Sequence, residues 1–125
     1  MPINARDFLG FAEWAHDPTR CDKEVGYRCS ISRAYYAAFH VAKEHLQMPE
    51  DADHEEVIER LKDFGEDFSE ELSSRLLDLK KKRKKADYRL THDVNRQLAS
   101  KTLQKSKKFI EDVVKIKVRP ERETI

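Results

Sequence analysis

The sequence contains few of the residues that interrupt regular secondary structure. Only three glycines and four prolines occur in 125 residues, which argues against a fold with many tight turns between short strands. Charged residues make up 39% of the chain and apolar residues 38%. This balance is too polar for sheets with broad buried faces and is typical of amphipathic helices with one solvated side. We therefore expect a single domain, residues 1–125, built from a few long helices.

Several classes of protein are disfavoured because their characteristic features are missing. Cys21 and Cys29 are eight residues apart, and they predict neither a disulfide framework nor a zinc site. The chain has no HExxH motif, no glycine-rich phosphate loop and no serine-elbow motif, so we expect no metal and no cofactor. No stretch approaches ~20 apolar residues, and the N-terminus MPINARDF has no apolar signal core. We therefore expect a cytoplasmic protein without a membrane segment.

Five segments have the apolar spacing of helices, and short links connect them. Asn4, Asp53 and Ser69 are predicted to cap the first, third and fourth segments. The second segment is apolar nearly all round in AYYAAFHVA (34–42), which predicts a central helix. The links favour an all-α, antiparallel up-and-down bundle of about five helices. The predicted segments are 4–16, 23–47, 53–64, 69–90 and 93–117.

Two features near the C-terminus leave alternatives open. The tail VKIKVR (114–119) alternates like a short strand, but the helix propensity of the preceding residues favours a fraying helix end. Residues 76–125 hold 16 Lys/Arg and 7 Asp/Glu, whereas residues 1–75 hold 9 and 17. The basic half could attract phosphates, or it could dock on the acidic half of another copy.

One arginine in the basic run at 80–85 lies on the predicted buried side of the fourth helix. A line at helical spacing joins Arg83 to apolar residues, and the neighbouring lysines spread around the wetter sides because six residues span more than one turn and a half. Asp87 lies one turn on and can form an ion pair with Arg83. Arg83 is therefore either half of a structural pair or a phosphate ligand in a polar cleft. The line contains Leu72, Leu76, Leu79, Arg83, Ala86 and Leu90.

A second polar group is predicted on the central helix. Arg33, Tyr36 and His40 follow helical spacing, with Ser32 on the same side and Tyr35 beside it. The row could line a groove next to the fourth helix, or it could consist of satisfied groups at a helix interface. Histidine titrates near neutral pH and arginine keeps its charge, so the two suit binding of an anion.

The segments SRAYYAAFHVAKEHL (32–46) and RKKADY (83–88) together resemble the HEPN superfamily (higher eukaryotes and prokaryotes nucleotide-binding), in particular its small standalone prokaryotic members. The resemblance implies an antiparallel helical bundle, often a homodimer, paired with a nucleotidyltransferase as a toxin component. Active members are metal-independent endoribonucleases with an arginine, four to six residues, and then a histidine at a dimer cleft. Arg83 matches that arginine, whereas Tyr88 stands where the first matching histidine would be.

Three functions follow as hypotheses. The first is a protein that binds a nucleotide or RNA phosphate through Arg33, Tyr36, His40, Arg83 and Asp87, with a nucleotidyltransferase partner. The second is an endoribonuclease in which Arg83 stabilises the charge of the phosphorane while Tyr88 or His92 handles protons. The third is a purely structural interaction protein whose polar residues are all satisfied internally.

Overall fold

The computed structural model describes residues 3–17, 19, 23–65 and 68–118, and they form an all-α helical bundle. Cys21, position 119 and the first two residues of MPINARDF, which the sequence predictions used, lie outside these residues. Among the described helices, none combines the length and the apolar character that a membrane crossing requires. The five helices are α1 (Asp7–His16), α2 (Lys23–His45), α3 (His54–Lys62), α4 (Ser69–Tyr88) and α5 (Arg96–Val113).

Helix α2 is the centre of the bundle, as its composition predicts. It packs against each of the other four helices, whereas α3 packs chiefly on α4. Its small residues allow this close approach because a methyl side chain keeps neighbouring helix axes near one another. The alanines at positions 34, 37, 38 and 42 are all fully buried. Leucines of α4 and the C-terminal part of α5 complete the main core, which contains Leu72, Leu76, Leu79, Phe109, Ile110 and Val113.

Polar side chains cap two of the helix starts, but of the three predicted caps only Asp53 is one of them. Asp53 caps α3 as expected, because its carboxylate accepts the Glu56 N–H at 2.9 Å. Asn4 instead accepts the N–H of Arg6, and α1 begins at Asp7. Ser69 is the first helical residue of α4 and not its cap. The cap of α5 is Asn95, which accepts the Leu98 N–H at 2.9 Å.

The helix ends differ most from the sequence prediction. Helix α4 stops at Tyr88, so Leu90 leaves the predicted buried line and is 72% exposed. Helix α5 stops at Val113, and residues 114–115 form a turn. The part of the tail that the structure describes is therefore neither a strand nor a continued helix. Ile116 nevertheless stays in the core, where its carbonyl accepts from His45 Nε2 at 2.6 Å.

Candidate functional site

Arg83 projects from the buried side of α4 toward α2, where the helical line predicts it. Its side chain is 12% exposed, and its Nη2 donates to the hydroxyl of Tyr36 at 2.8 Å. The predicted pair with Asp87 is present, with Arg83 Nε 3.1 Å from Asp87 Oδ2. The Nε–H does not point at that oxygen, and Nε is buried without an acceptor in the described part of the chain. The buried Nε donor of a nearly buried cation is therefore unused.

A second guanidinium approaches the same tyrosine from α2. The central carbon of Arg33 lies 4.7 Å from the centroid of the Tyr36 ring, and that of Arg83 lies 5.3 Å from it. Tyrosine rings attract cations through their negative faces, which offsets part of the repulsion between the two arginines. The Tyr36 hydroxyl accepts from Arg83, so its own hydrogen is available to another acceptor.

Asp87 links the two arginines through a serine. Ser32 Oγ donates to Asp87 Oδ2 at 3.1 Å, and Arg33 Nη2 donates to Ser32 Oγ at 3.3 Å. The predicted residues Ser32, Arg33, Tyr36, Arg83 and Asp87 thus form one connected network between α2 and α4. Two guanidiniums face one carboxylate in this network, which leaves a net positive charge.

His40 lies at the edge of the network, beside a groove of about 500 Å³. Its ring stacks on Phe8 of α1 at 5.3 Å and lies 6.2 Å from the Tyr36 ring. Burial, aided by the charge of Lys43, holds the pKa of His40 below its usual value. The structure therefore brings His40 near the arginines as a neutral ring at pH 7 and not as a third cation.

The two residues proposed to handle protons are placed differently. Tyr88 is 67% exposed, yet its ring centroid is 5.4 Å from the guanidinium carbon of Arg83. His92 is exposed in the link between α4 and α5, and no contact joins it to Arg83 in the described structure. Its backbone carbonyl instead accepts from Arg28 at 2.5 Å. Of the two, only Tyr88 is assembled with the arginine.

His54 joins the site although its sequence position gave no sign of it. It is the first residue of α3, and its Nδ1 lies 2.6 Å from the hydroxyl of the fully buried Tyr35. Its ring is 6.1 Å from that of Tyr36 and 4.5 Å from that of Phe39. Burial, followed by the charge of Arg83, lowers the pKa of His54.

The connection between α2 and α3 explains how His54 reaches the site. Residues 46–53 return along α2, and Lys43 fixes this course by donating to the Glu50 carbonyl at 2.7 Å. Tyr35 lies ten residues before the end of α2, or about 15 Å back along the helix. Helical periodicity does not predict the course of the connection between α2 and α3, so the sequence contains no signal for this contact.

A further groove, of about 700 Å³, lies between α4 and α5 and has a different character. Its charges are paired across the two helices, for example Arg75 with Asp112 at 2.9 Å and Lys105 with Asp78 at 3.6 Å. Burial opposes ionisation of Asp112, yet the hydrogen bonds from Arg75 and the neighbouring lysines hold its pKa below the usual value. Pairing of this kind compensates the charges across the two helices and leaves little net charge for a ligand.

Comparison with known proteins agrees with the fold and the motif. Neither curated proteins nor solved structures give a match to this chain. The family model described as the HEPN domain matches residues 19–117, which include α2 to α5 and every member of the network around Arg83. This match covers more than half of the sequence. The chain therefore belongs to the HEPN domain family.

Proposed function

We propose that this HEPN-domain protein binds the phosphate of a nucleotide or of RNA at the network around Arg83. The proposal places Arg83 and Arg33 as the cations that hold the phosphate. Tyr36 and Asp87 orient the guanidiniums, and His40 lies beside Tyr36 at the edge of the network. The family membership supports a nucleotide- or RNA-related role.

One observation carries the proposal: two guanidiniums share a single tyrosine ring and are offset by one carboxylate. A buried cation needs counter-charge and acceptors for its donors. Asp87 supplies one negative charge for two guanidiniums. It does not accept from the Nε–H of Arg83, which has no acceptor among the described residues. A phosphate would supply counter-charge at the part of the guanidinium that stays exposed, and the planar fork of arginine suits phosphate geometry.

Titration of the purified protein with AMP and with a short RNA tests this proposal. Arg83→Gln is expected to weaken binding by about tenfold or more, because it removes a charge-assisted contact. The matched control is Lys84→Gln, which removes an exposed charge from the same basic run and is expected to change the affinity little. Equal losses in the two variants would mean that the run attracts phosphate only through its overall charge.

The partner and the assembly are parts of the same proposal. We place the protein as a homodimer that works with a nucleotidyltransferase, in a pair of the toxin–antitoxin kind. Tyr88, whose ring lies near Arg83, and Leu90, two residues further on, are exposed at the end of α4 and provide apolar surface for self-association. Light scattering after size exclusion is expected to give a dimer mass, and Leu90→Glu is expected to give a monomer. A monomeric wild type at micromolar concentration would reject the dimer.

The position of Tyr88 favours a second candidate, a metal-independent endoribonuclease. In that reaction the 2′-hydroxyl of RNA loses its proton and attacks the neighbouring phosphate, and the bond to the 5′-oxygen breaks, which gives a 2′,3′-cyclic phosphate and a 5′-hydroxyl that takes up a proton. Arg83 stabilises the charge that develops on the phosphorane. Tyr88 lies close enough to Arg83 to take part, whereas His92 does not. Overproduction of the wild type is then expected to slow growth, and Arg83→Ala to relieve it. Equal growth of both strains would remove this candidate.

The third candidate, a purely structural interaction protein, predicts a different result. In that case the network only joins α2 to α4, and Arg83→Gln would lower stability without any effect on a ligand. Absence of binding by the wild type to AMP and to RNA, together with reduced stability of Arg83→Gln, would favour it.

A further inference from the structure

We infer that His54 is an additional ligand-binding residue of the Arg83 site and that Tyr35 is the positioning residue that fixes its tautomer. In this arrangement His54 offers its Nε2–H to a phosphate oxygen. The inference rests on the proposed function, because it assigns a further contact to the same phosphate.

The hydrogen bond between Tyr35 and His54 determines which ring nitrogen carries the proton. Tyr35 is fully buried, and His54 Nδ1 is the partner of its hydroxyl, at 2.6 Å. A neutral imidazole has one donor nitrogen and one acceptor nitrogen. If Nδ1–H donated to the phenol, the hydroxyl hydrogen would be buried without an acceptor, at a considerable cost. The hydroxyl therefore donates to Nδ1, and the ring proton lies on Nε2.

The phenol is held in its donor form by its surroundings. Burial raises the pKa of Tyr35 well above its usual value, so that it keeps its hydrogen. Protonation of His54 would place a hydrogen on Nδ1 and break this bond. Burial and the nearby charge of Arg83 lower the pKa of His54, and both therefore also oppose its protonation. His54 is thus a neutral ring with a fixed donor at pH 7.

The available nitrogen lies on the side of the ring opposite Tyr35. His54 is half-buried, and its Nε2 forms no hydrogen bond with the residues that the structure describes. The ring packs beside Tyr36, whose hydroxyl is 2.8 Å from Arg83 Nη2. Helices α2, α3 and α4 therefore each contribute a donor around Tyr36: Arg33, His54 and Arg83.

Such a set of donors matches a phosphate monoester better than a carboxylate. A phosphate monoester has three terminal oxygens that accept hydrogen bonds in different directions, whereas a carboxylate has two in one plane. A neutral donor also binds the anion without adding to the repulsion between the two arginines. The predicted ligand class is therefore a terminal phosphate, such as that of a nucleoside monophosphate or of an RNA end.

Two substitutions at position 54 separate binding from support of the fold. In His54→Gln the amide nitrogen can occupy the position of Nε2, so the donor to the ligand is retained and the acceptor for Tyr35 is lost. In His54→Asn the amide oxygen can occupy the position of Nδ1, so the acceptor for Tyr35 is retained and the distal donor is lost. Calorimetric titration with AMP is expected to show about tenfold weaker binding for His54→Asn and a smaller loss for His54→Gln.

Thermal unfolding of the same variants is expected to give the opposite order, with His54→Asn more stable than His54→Gln. Lys84→Gln, at an exposed position outside the network, is again the control and is expected to bind AMP much like the wild type. If both His54 variants bind AMP like the wild type, or if the affinities follow the stabilities, the inference is wrong. If Arg83→Gln still loses affinity in that experiment, the proposed phosphate site remains. Failure of the wild type to bind either AMP or a short RNA would overturn both proposals.

The tautomer has a readout of its own. Two-bond ¹H–¹⁵N correlation spectra at pH 7.5 are expected to show the His54 proton on Nε2, and Tyr35→Phe is expected to lower the fraction of this tautomer and to weaken AMP binding. A wild-type ring with its proton on Nδ1 would refute the role of Tyr35. This measurement does not depend on ligand binding, so it distinguishes an error in the tautomer from an error in the proposed function.

Discussion

Arg28 supports the strongest prediction about stability, because it holds the end of α4 from a distance. Its side chain, 11% exposed, donates to the carbonyls of Ala86 at 2.8 Å and of His92 at 2.5 Å. Three longer contacts, of 3.3–3.4 Å, reach the carbonyls of Lys85, Arg89 and Leu90. A helix leaves its last carbonyls without partners, and a cation near them also interacts favourably with the helix dipole.

The expected cost of removing the guanidinium can be estimated from these contacts. A hydrogen bond to a charged group contributes about 1.5–3 kcal/mol, and the helix dipole about 0.3–1 kcal/mol. The two short bonds dominate, and their sum is an upper bound because the freed carbonyls are partly accessible to water. Arg28→Met keeps the apolar stem, so we expect it to lower the free energy of unfolding by about 2–4 kcal/mol. That is a large part of the about 5–15 kcal/mol typical of a domain.

Urea unfolding monitored by circular dichroism measures this difference. Glu24→Gln is the matched control, because it removes the 3.5 Å ion pair with Arg28 from an acid that is 53% exposed. Such an exposed pair contributes about 0–1 kcal/mol. Amide hydrogen exchange is also expected to accelerate in residues 89–95 of Arg28→Met. If Arg28→Met loses no more stability than Glu24→Gln, the carbonyl contacts do not hold α4.

The core and the histidines give two further predictions. Leu76→Ala, at a fully buried position of α4, is expected to lower the free energy of unfolding by about 2–5 kcal/mol. Leu77→Ala, at a position that is 39% exposed, is expected to lower it by less than about 1 kcal/mol. Equal losses in urea unfolding would contradict the assigned core face. Because the folded-state pKa values of His40 and His54 lie below the usual 6.5, their contribution to stability is complete above that pH and is lost as the pH falls below it. The unfolding temperature should therefore fall between pH 7.5 and pH 5, and a rise would contradict the two shifts.

Local sequence patterns predict where the helices lie, but they do not predict where the helices end. The buried line of α4 was predicted through Leu72, Leu76 and Leu79, because apolar periodicity reports directly which side of a helix is buried. The same line failed at Leu90, where the helix has already ended. The carbonyls at that point are bound by Arg28, about sixty residues earlier in the chain. A helix end set by such a distant side chain has no local signal.

In the candidate site, too, contacts within one helix can be predicted from the sequence, whereas contacts between helices cannot. The pair of Arg83 and Asp87 and the row of Arg33, Tyr36 and His40 were predicted, because residues three or four apart share one face of a helix. The bond between Arg83 and Tyr36 joins residues 47 positions apart and depends on how α2 packs on α4. His54 depends in addition on the path of the connection before α3, so sequence spacing could not assign it to the site.

Binding and cleavage differ in one requirement, and the tautomer of His54 bears on it. Cleavage of RNA needs a group that takes a proton from the 2′-hydroxyl, whereas binding of a terminal phosphate needs only donors. A histidine with a free nitrogen lone pair beside Arg83 would serve cleavage. The hydrogen bond from Tyr35 occupies the lone pair of His54 and leaves a hydrogen on Nε2. With Arg33 and Arg83 also donors, the proposed site offers hydrogen-bond donors to a phosphate and no acceptor for the proton of the 2′-hydroxyl, which favours the binding proposal over the cleavage proposal.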